Sequence, residues 1–385
     1  MKNIVALSFV LLMTTGACSQ EKLPANMKPY MDIISPTGLS STLHFLASDN
    51  FEGRLAGTKY ERLAAEYLAS CYEWMEIPPA KYNGDDKNPI ENYFQPFHFI
   101  RNQKNESSQN VIAFIEGSDP KLKKEAVILI AHYDHLGKDT SHTGDQIFNG
   151  AADDGSGTVA LLHIAKSFAE AKKNGMGPKR SILFLHTGAE EAGVKGSTYY
   201  VNYDPIWPLE ETAAVINMDG VGGFDQANLP GNTNYVYLLH ADSTSAHLFE
   251  KVKQLNSSAG INLDLLYPKN AARFRSDNEP FEAHLIPAIY FSSGLTEHYH
   301  KVSDEASTID YGHMAKVVKL VFSLSWELSN LTKNESKFNR ALYKKSGQYY
   351  CRPCGCGKDN IVFEKAGVCD ACNMQLFPMW VKTSK

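Results

Sequence analysis

The chain has 385 residues, enough for one large α/β domain with a small additional unit, or for two modest domains. Its hydrophobic content of 43% and its charged content of 21% are ordinary for a globular protein. The formal net charge of -5 gives no electrostatic reason to expect binding to nucleic acid.

The N-terminal segment has the pattern of an export signal. A lysine at the second position precedes a short apolar run at 4–13, and three small residues lead to Cys18. A signal that ends on cysteine resembles that of bacterial lipoproteins, which implies that Cys18 is lipidated. An ordinary signal cleaved nearby is the alternative. We therefore expect residues 1–18 to be a signal peptide and residues 19–36 to be a polar tether.

This signal also predicts the location of the protein. The apolar run is too short to span a bilayer, and no other run of 18 or more apolar residues occurs in the sequence. We expect an exported protein that is anchored by lipid to a bacterial membrane, facing the periplasm or the cell exterior.

Predicted helices and strands alternate along the chain beyond this tether. Apolar residues at helical spacing predict two helices within 38–76. Apolar and β-branched runs predict strands at 110–116, 126–131, 181–186, 213–218, 235–240 and 286–291. Further helices are predicted at 157–171, 245–257 and 310–328. The alternation favours an α/β domain at 37–330, with a mostly parallel central sheet and helices on both faces.

Side chains that can bind zinc follow the ends of these strands. They are His132, Asp153, Glu191, Asp219 and His300. Ligands of open α/β sheets bind at the carboxyl ends of the strands, so we expect these side chains to converge. Two imidazoles and three carboxylates suit a pair of zinc ions. Asp153, in a tight turn before a helix, is placed to bridge both ions.

These segments resemble the zinc exopeptidases that include bacterial secreted aminopeptidases, glutamate carboxypeptidase and glutaminyl cyclase. The resemblance rests on Ala-His-Tyr-Asp at 131–134, Asn-x-x-x-Asp-Asp-Gly-Ser-Gly at 149–157, Glu-Glu-x-Gly at 190–193, Asn-Met-Asp at 217–219 and Tyr-His at 299–300. It extends to the segments at 51–57 and 275–277 and so covers about residues 40–330. Two departures, Asn278 in place of a frequent histidine and a longer loop at 138–148, are placed near the substrate pocket by the resemblance.

The resemblance implies a di-zinc aminopeptidase that acts on peptides. His132 and Asp219 would bind one zinc ion, Glu191 and His300 would bind the other, and Asp153 would bridge the two. His135, His142 and His298 stand near these motifs but outside their register, and we interpret them as bystanders. His298 is the one alternative to His300.

Three further residues complete the implied site. Glu190 would be the general base for zinc-activated water, returning the proton to the leaving amine. Tyr299 would polarise the scissile carbonyl group. Asp134 lies two residues after His132, so on a strand both side chains point the same way. We expect its carboxylate to accept a hydrogen bond from the imidazole and fix the tautomer.

Other functions remain open. Glutaminyl cyclases of this fold keep one zinc, and His132 argues against that activity. A carboxypeptidase acting on acidic peptides would need extra arginines, and the sequence does not identify a cluster of them. A non-catalytic binding protein of the same fold is disfavoured by the intact ligand set together with Glu190.

The C-terminal region is predicted to be a separate metal-binding unit. Polar residues at 331–347 predict a linker, and residues 348–385 predict a Cys-rich module. Two Cys-x-x-Cys pairs are typical of a zinc ribbon, with Cys351, Cys354, Cys369 and Cys372 as ligands of one further zinc ion.

The metal of this module remains open in the sequence. The region resembles small heavy-metal-binding modules of bacterial proteins. A soft metal such as Cu(I), with Cys356 and Met374 as additional ligands, is therefore the second interpretation. Disulfide bonds are the third, because an exported protein meets an oxidising compartment.

Overall fold

The structure is a computed structural model that describes residues 24, 26–80, 88–240, 242–331, 340–351, 356–359, 361–372 and 374–383. Both Cys18 and Cys354 lie outside these residues. Within the described part of the chain, no helix is both long and apolar enough to cross a membrane.

An eight-stranded mixed sheet forms the centre of the fold. The strands within the described residues are β1 (Phe94–Arg101), β2 (Lys104–Ile115), β3 (Ala126–His132), β4 (Gly137–Lys138), β5 (Ile147–Phe148), β6 (Ser181–Thr187), β7 (Thr212–Met218), β8 (Tyr235–His240), β9 (Asp264–Leu266), β10 (Ala288–Ser292), β11 (Tyr343–Tyr350), β12 (Val362–Phe363) and β13 (Phe377–Lys382). The order in the central sheet is β1-β2-β6-β3-β7-β10-β8-β9. Its middle strands β6, β3, β7 and β10 are parallel, which confirms the predicted mostly parallel sheet.

Helices cover both faces of this sheet. They are α1 (Lys28–Met31), α2 (Pro36–Leu46), α3 (Lys59–Trp74), α4 (Ser156–Lys173), α5 (Lys195–Asn202), α6 (Asp242–Ser258), α7 (Asn278–Glu282) and α8 (Tyr311–Asn330). Every residue of β3, β6 and β10 is buried, as their nearly continuous apolar sequences require. The larger core joins one face of the sheet to α2, α3, α4, α6 and α8. A smaller core joins the other face to α5 and α7.

The C-terminal residues form a small separate sheet. Its three antiparallel strands have the order β12-β11-β13, and β11 begins at Tyr343. The indole of Trp380 on β13 donates a hydrogen bond to the carbonyl of Ala283, which follows α7, at 2.7 Å. The small sheet therefore packs against the larger α/β domain.

A buried arginine holds together the loops behind the carboxyl edge of the central sheet. Arg54 is fully buried, and its guanidinium donates hydrogen bonds to four main-chain carbonyls: those of Leu46, Tyr133, Asn149 and Gly150. The preceding Gly53 has φ of 67°, and a Cβ atom there would lie 2.4 Å from the carbonyl oxygen of Gly137. The Phe-Glu-Gly-Arg motif is thus a structural support.

Replacement of Arg54 by methionine should lower the free energy of unfolding by roughly 3 kcal/mol or more, because buried carbonyls would lose charged donors. Denaturant unfolding measures this change. The matched control is Arg62→Met, since Arg62 is partly exposed and pairs with Glu66 and Glu91. This control should cost less than about 1 kcal/mol. Equal costs for the two variants would contradict the structural role of Arg54.

Candidate active site

The functional side chains meet at the carboxyl edge of the parallel strands. His132 is the last residue of β3, and Asp219 directly follows β7. Asp153 lies in the turn before α4, and the turn after β6 carries Glu190 and Glu191. Neighbouring parallel strands end at the same edge, so residues far apart in sequence become neighbours.

Asp153 stands between two groups of metal-ligating atoms. Its Oδ1 atom lies 3.2 Å from Nε2 of His132, and that nitrogen lies 3.7 Å from Oδ1 of Asp219. The Oδ2 atom of Asp153 lies 3.1 Å from Nε2 of His300, which lies 3.3 Å from Oε2 of Glu191. Two ligands of one tetrahedral zinc ion would be separated by about 3.3 Å. Each oxygen of Asp153 therefore faces a different potential metal position.

His135 also lies at this site, contrary to its interpretation as a bystander. It is fully buried, with Nδ1 2.9 Å from Oε1 of Glu191 and 4.0 Å from Oδ2 of Asp153. The prediction assumed that the two-residue alternation of a strand continues to His135. In the structure β3 ends at His132 and the chain turns beyond that point. The bridge between Leu55 and His135 could not be read from local sequence.

The other two doubtful histidines lie outside the cluster. His142 is exposed and lies 3.8 Å from Asp139. Nδ1 of His298 lies 3.0 Å from the hydroxyl of Ser303. The structure thus places His300, and not His298, beside Asp153.

Asp134 supports the turn that carries the two glutamates. Its carboxylate accepts hydrogen bonds from the main-chain N–H groups of Glu190 at 2.9 Å and Glu191 at 3.3 Å. The imidazole of His132 donates from Nδ1 to the main-chain carbonyl of Asp134 at 3.1 Å, and its distance to the carboxylate is 3.8 Å. The His132 tautomer is therefore set by a carbonyl in place of the predicted carboxylate.

Burial and like charge shift the acid–base behaviour of the cluster. Burial raises the pKa of Glu190 well above its ordinary value, and the nearby carboxylates of Glu191 and Asp277 add to this shift. Burial also raises the pKa of Asp134, to about 7. Burial alone would lower the pKa of His300, but contacts with Asp153 and Glu191 raise it to about 10. The site is therefore a region of strong negative potential.

The donor atoms fit zinc. Imidazole nitrogens and carboxylate oxygens are the donors that zinc takes in catalytic sites. Oε1 of Glu191 is buried, and its approach to Nδ1 of His135 at 2.9 Å lacks hydrogen-bond geometry. A divalent cation beside Glu191 would offset the crowded negative charge. The residues present therefore suit a pair of zinc ions.

An open cleft of ≈ 500 Å³ exposes the cluster to substrate. The ring of Tyr299 lines the cleft and stacks on His300, with 3.9 Å between the ring centroids. Arg273, Phe274 and Arg275 also line the cleft. The cleft thus contains both general acid–base groups and charged groups that can select a substrate.

The two departures from the family pattern lie away from the walls of this cleft. The side chain of Asn278 is buried, accepts a hydrogen bond from Asn217 and donates one to Glu282. The loop at 138–148 forms the hairpin of β4 and β5, which packs against residues 49–54. Both positions therefore support the site from behind.

A family model described as peptidase family M28 matches residues 110–325, which are more than half of the chain. The chain belongs to peptidase family M28. Among curated proteins, aminopeptidase YwaD of Bacillus subtilis (strain 168) is 30% identical over 140 residues, covering 34% of this chain and 28% of that protein. A vacuolar membrane protease of Kluyveromyces lactis is 29% identical over 173 residues, covering 43% of this chain and 16% of that protein. The chain spans less than a third of the length of either relative.

Solved structures share the fold. BSAP, a zinc aminopeptidase from Bacillus subtilis, aligns with a TM-score of 0.59 at 18% identity, over 80% of this chain and 98% of that chain. Glutaminyl cyclase from Porphyromonas gingivalis aligns with a TM-score of 0.57 at 22% identity, over 75% of this chain and 97% of that chain. Fold likeness alone therefore does not separate peptidase from cyclase activity.

Replacement of His300 by alanine should remove zinc and activity together, because an imidazole that faces both Asp153 and Glu191 would be lost. His298→Ala is the matched control and should leave both quantities near the wild-type values. Metal analysis and initial rates on the two purified variants provide the measurement. The reverse pattern would move the ligand two residues upstream.

Proposed function

We propose that this M28 protein is a di-zinc exopeptidase that releases N-terminal residues from peptides. The supporting observation is the position of Asp153, whose two oxygens face His132 and His300 on opposite sides. Glu190 lies beside this arrangement, with Oε2 4.0 Å from Nε2 of His132. Five residues would bind the metals, and one carboxylate would remain for proton transfer.

Zinc ions bound here would supply Lewis-acid activation of water and of the scissile carbonyl group. The residues of the chain provide the remaining parts of the reaction. Glu190 has a raised pKa, so its carboxylate readily accepts a proton from water at Oε2 and passes it to the leaving amine. Hydrogen bonds from the N–H groups of Gly193 and Val194 to the carbonyl of Glu190, at 2.7 and 2.8 Å, hold the residue in place.

Tyr299 is suited to stabilise the developing oxyanion. Burial, with a further contribution from Asp153, raises the pKa of its phenol well above the ordinary value. The hydroxyl group therefore stays protonated at neutral and alkaline pH. It can donate a hydrogen bond to the carbonyl oxygen as negative charge develops there.

The cleft offers a carboxylate to a substrate that carries a free α-amino group. Asp153, Glu190, Glu191 and Asp219 all line the cleft, and Glu190, which would bind no zinc, can pair with an ammonium group at short range. This preference supports an aminopeptidase. A non-catalytic protein would not require the Glu190 carboxylate in this position.

A carboxypeptidase is the second candidate because the structure brings two arginines to the cleft. Arg273 is exposed on its wall, and Arg275 pairs with Glu279 at 3.0 Å. The sequence did not identify these residues as a cluster for a substrate carboxylate. A glutaminyl cyclase is less well supported, since His132, Asp153 and Asp219 form a second group of ligands.

Export and membrane anchoring are part of the same proposal. We propose that the residues before Cys18 are removed, that Cys18 carries the lipid as the first residue of the mature chain, and that the following residues lead to the catalytic domain, whose core already includes Met27, Met31 and Ile34. The motif around Cys18 supports this assignment. Mass spectrometry of the mature N-terminus tests it, and an unmodified cysteine in membrane-purified protein would reject it.

Glu190→Gln should keep both active-site zinc ions and reduce kcat by roughly 10²–10⁴-fold, because the amide cannot accept the proton. Metal analysis and steady-state kinetics test this expectation. Glu210→Gln changes an exposed glutamate and should leave kcat unchanged. Full activity of metal-replete Glu190→Gln would remove Glu190 from the proton transfer.

Leucine and alanine anilides with a free amine should be cleaved, and their N-acetyl forms should not, because acetylation removes the cationic group that the cleft attracts. Release rates of the aniline give the comparison. An N-blocked peptide with a C-terminal glutamate should remain intact. Rapid release of that glutamate would instead favour the carboxypeptidase and assign Arg273 to substrate binding.

A further inference from the structure

Four cysteine sulfurs meet in the C-terminal module. The Sγ atoms of Cys351, Cys356, Cys369 and Cys372 all lie within 4.8 Å of one another. The Cys351–Cys356, Cys351–Cys372 and Cys356–Cys369 separations are 3.9, 3.5 and 3.9 Å. A disulfide bond would require about 2.05 Å. Four thiolates bound to one zinc ion at about 2.3 Å would be separated by about 3.8 Å, which the observed distances match.

The backbone around these cysteines holds their sulfurs in position to bind a metal ion. Cys351 directly follows β11, and Cys369 starts a turn closed by a hydrogen bond from its N–H group to the carbonyl of Met374 at 2.7 Å. The N–H groups of Ala371 and Cys372 point to the Cys369 sulfur. Such hydrogen bonds stabilise a thiolate. The turn therefore presents two sulfurs, from Cys369 and Cys372, to the same point.

Among its described residues, the module buries only a small apolar cluster of its own. Its buried cluster consists of Cys351, Cys369 and Leu376, with a few partly buried neighbours. A core of this size cannot offset the conformational entropy of folding, whereas metal binding can. The cysteines thus form the centre of the module.

The module lies next to the turn that carries the two glutamates of the cleft. Cγ of Met374 lies 3.9 Å from the position that a Cβ atom would take at Gly193, so the Met374 side chain faces this turn. Burial lowers the pKa of Lys195, the first residue of α5, and the negative charge of the Cys372 thiolate opposes that shift. The bond from Trp380 to Ala283 fixes the module at a second point.

We propose that Cys351, Cys356, Cys369 and Cys372 bind one zinc ion, and that the module folded around it holds the turn at 190–195 in place through Met374. This assignment replaces Cys354 of the sequence prediction with Cys356. A set of four sulfurs in tetrahedral arrangement favours zinc over the oxygen-seeking metals. The metal site stands independently of the peptidase, and the effect on catalysis rests on the proposed role of Glu190 and Glu191.

Single substitutions in the full-length chain test the ligand set. Cys356→Ser should contain one zinc ion fewer than the wild type, while Cys354→Ser and the control Cys71→Ser should retain the full metal content. Cobalt-substituted protein should show sulfur-to-metal charge transfer that Cys356→Ser weakens. Loss of the ion in Cys354→Ser with retention in Cys356→Ser would overturn the assignment.

Thiol mapping of the wild type tests the same site without any substitution. Alkylation of metal-replete protein should modify Cys354 and spare the four proposed ligands until a chelator is added. Disulfide bonds among those four cysteines in metal-replete protein would overturn the site.

Met374→Ala tests the contact with the catalytic turn. Amide hydrogen exchange at Gly193–Lys195 should become faster, and kcat should fall by about 3- to 10-fold with KM little changed, because Glu190 loses its fixed position. Met374→Leu should restore both quantities. Val362→Ala, an exposed change in the same module, should alter neither.

The two readouts separate the two hypotheses. Unchanged exchange at Gly193–Lys195 in Met374→Ala would overturn the contact even if the protein is a peptidase. Faster exchange in a protein that cleaves no peptide would leave the contact in place and reject the proposed function.

Discussion

Four largely buried carboxylates line one cleft, and their mutual repulsion has to be balanced by positive charge. Asp153, Glu190, Glu191 and Asp219 have side chains that are 9–13% exposed. Arg54 lies behind them, where complete burial lowers its pKa and the negative charges of Asp304, Asp134 and Asp153 oppose that shift. Metal ions bound in the cleft would offset the remaining charge. The architecture of the catalytic domain follows from this balance.

The carboxylates around the cleft differ in what stabilises them. Asp304 accepts hydrogen bonds from the N–H groups of Ala152 and Asp153, at 2.8 and 3.1 Å. Asp154 accepts from Gly157 and Gly220, at 2.9 and 3.1 Å. These two carboxylates are held by main-chain groups and orient the loops, which leaves the cleft carboxylates free to meet cations. Acidic residues that accept main-chain hydrogen bonds are thus close in sequence to acidic residues whose carboxylates face the cleft.

Local sequence predicted the strands that carry the site, because continuous apolar runs and the residues that follow them are local signals. It could not place His135, whose position depends on where β3 stops and on pairing with the distant Leu55. It also could not show Arg273 and Arg275 on the cleft wall, since a loop before α7 brings them there. For the module, the Cys-x-x-Cys spacing pointed to Cys354, whereas the sulfur of Cys356 lies beside those of Cys351, Cys369 and Cys372. In each of these cases, the position of the side chain depends on contacts between residues that are distant in sequence.

The position of Asp153 has a consequence for how the metals would be bound. The main-chain N–H of Asp153 donates a hydrogen bond to the carboxylate of Asp304. The short side chain of Asp153 then offers one carboxylate oxygen to each of the two potential metal positions. Any tilt that shortens one metal–oxygen bond changes the other, so the two affinities are thermodynamically linked. A different ion at the His132 position would alter the ion at the His300 position without touching its other ligands. Two metal ions bound here would therefore behave as one cooperative unit joined by the Asp153 carboxylate.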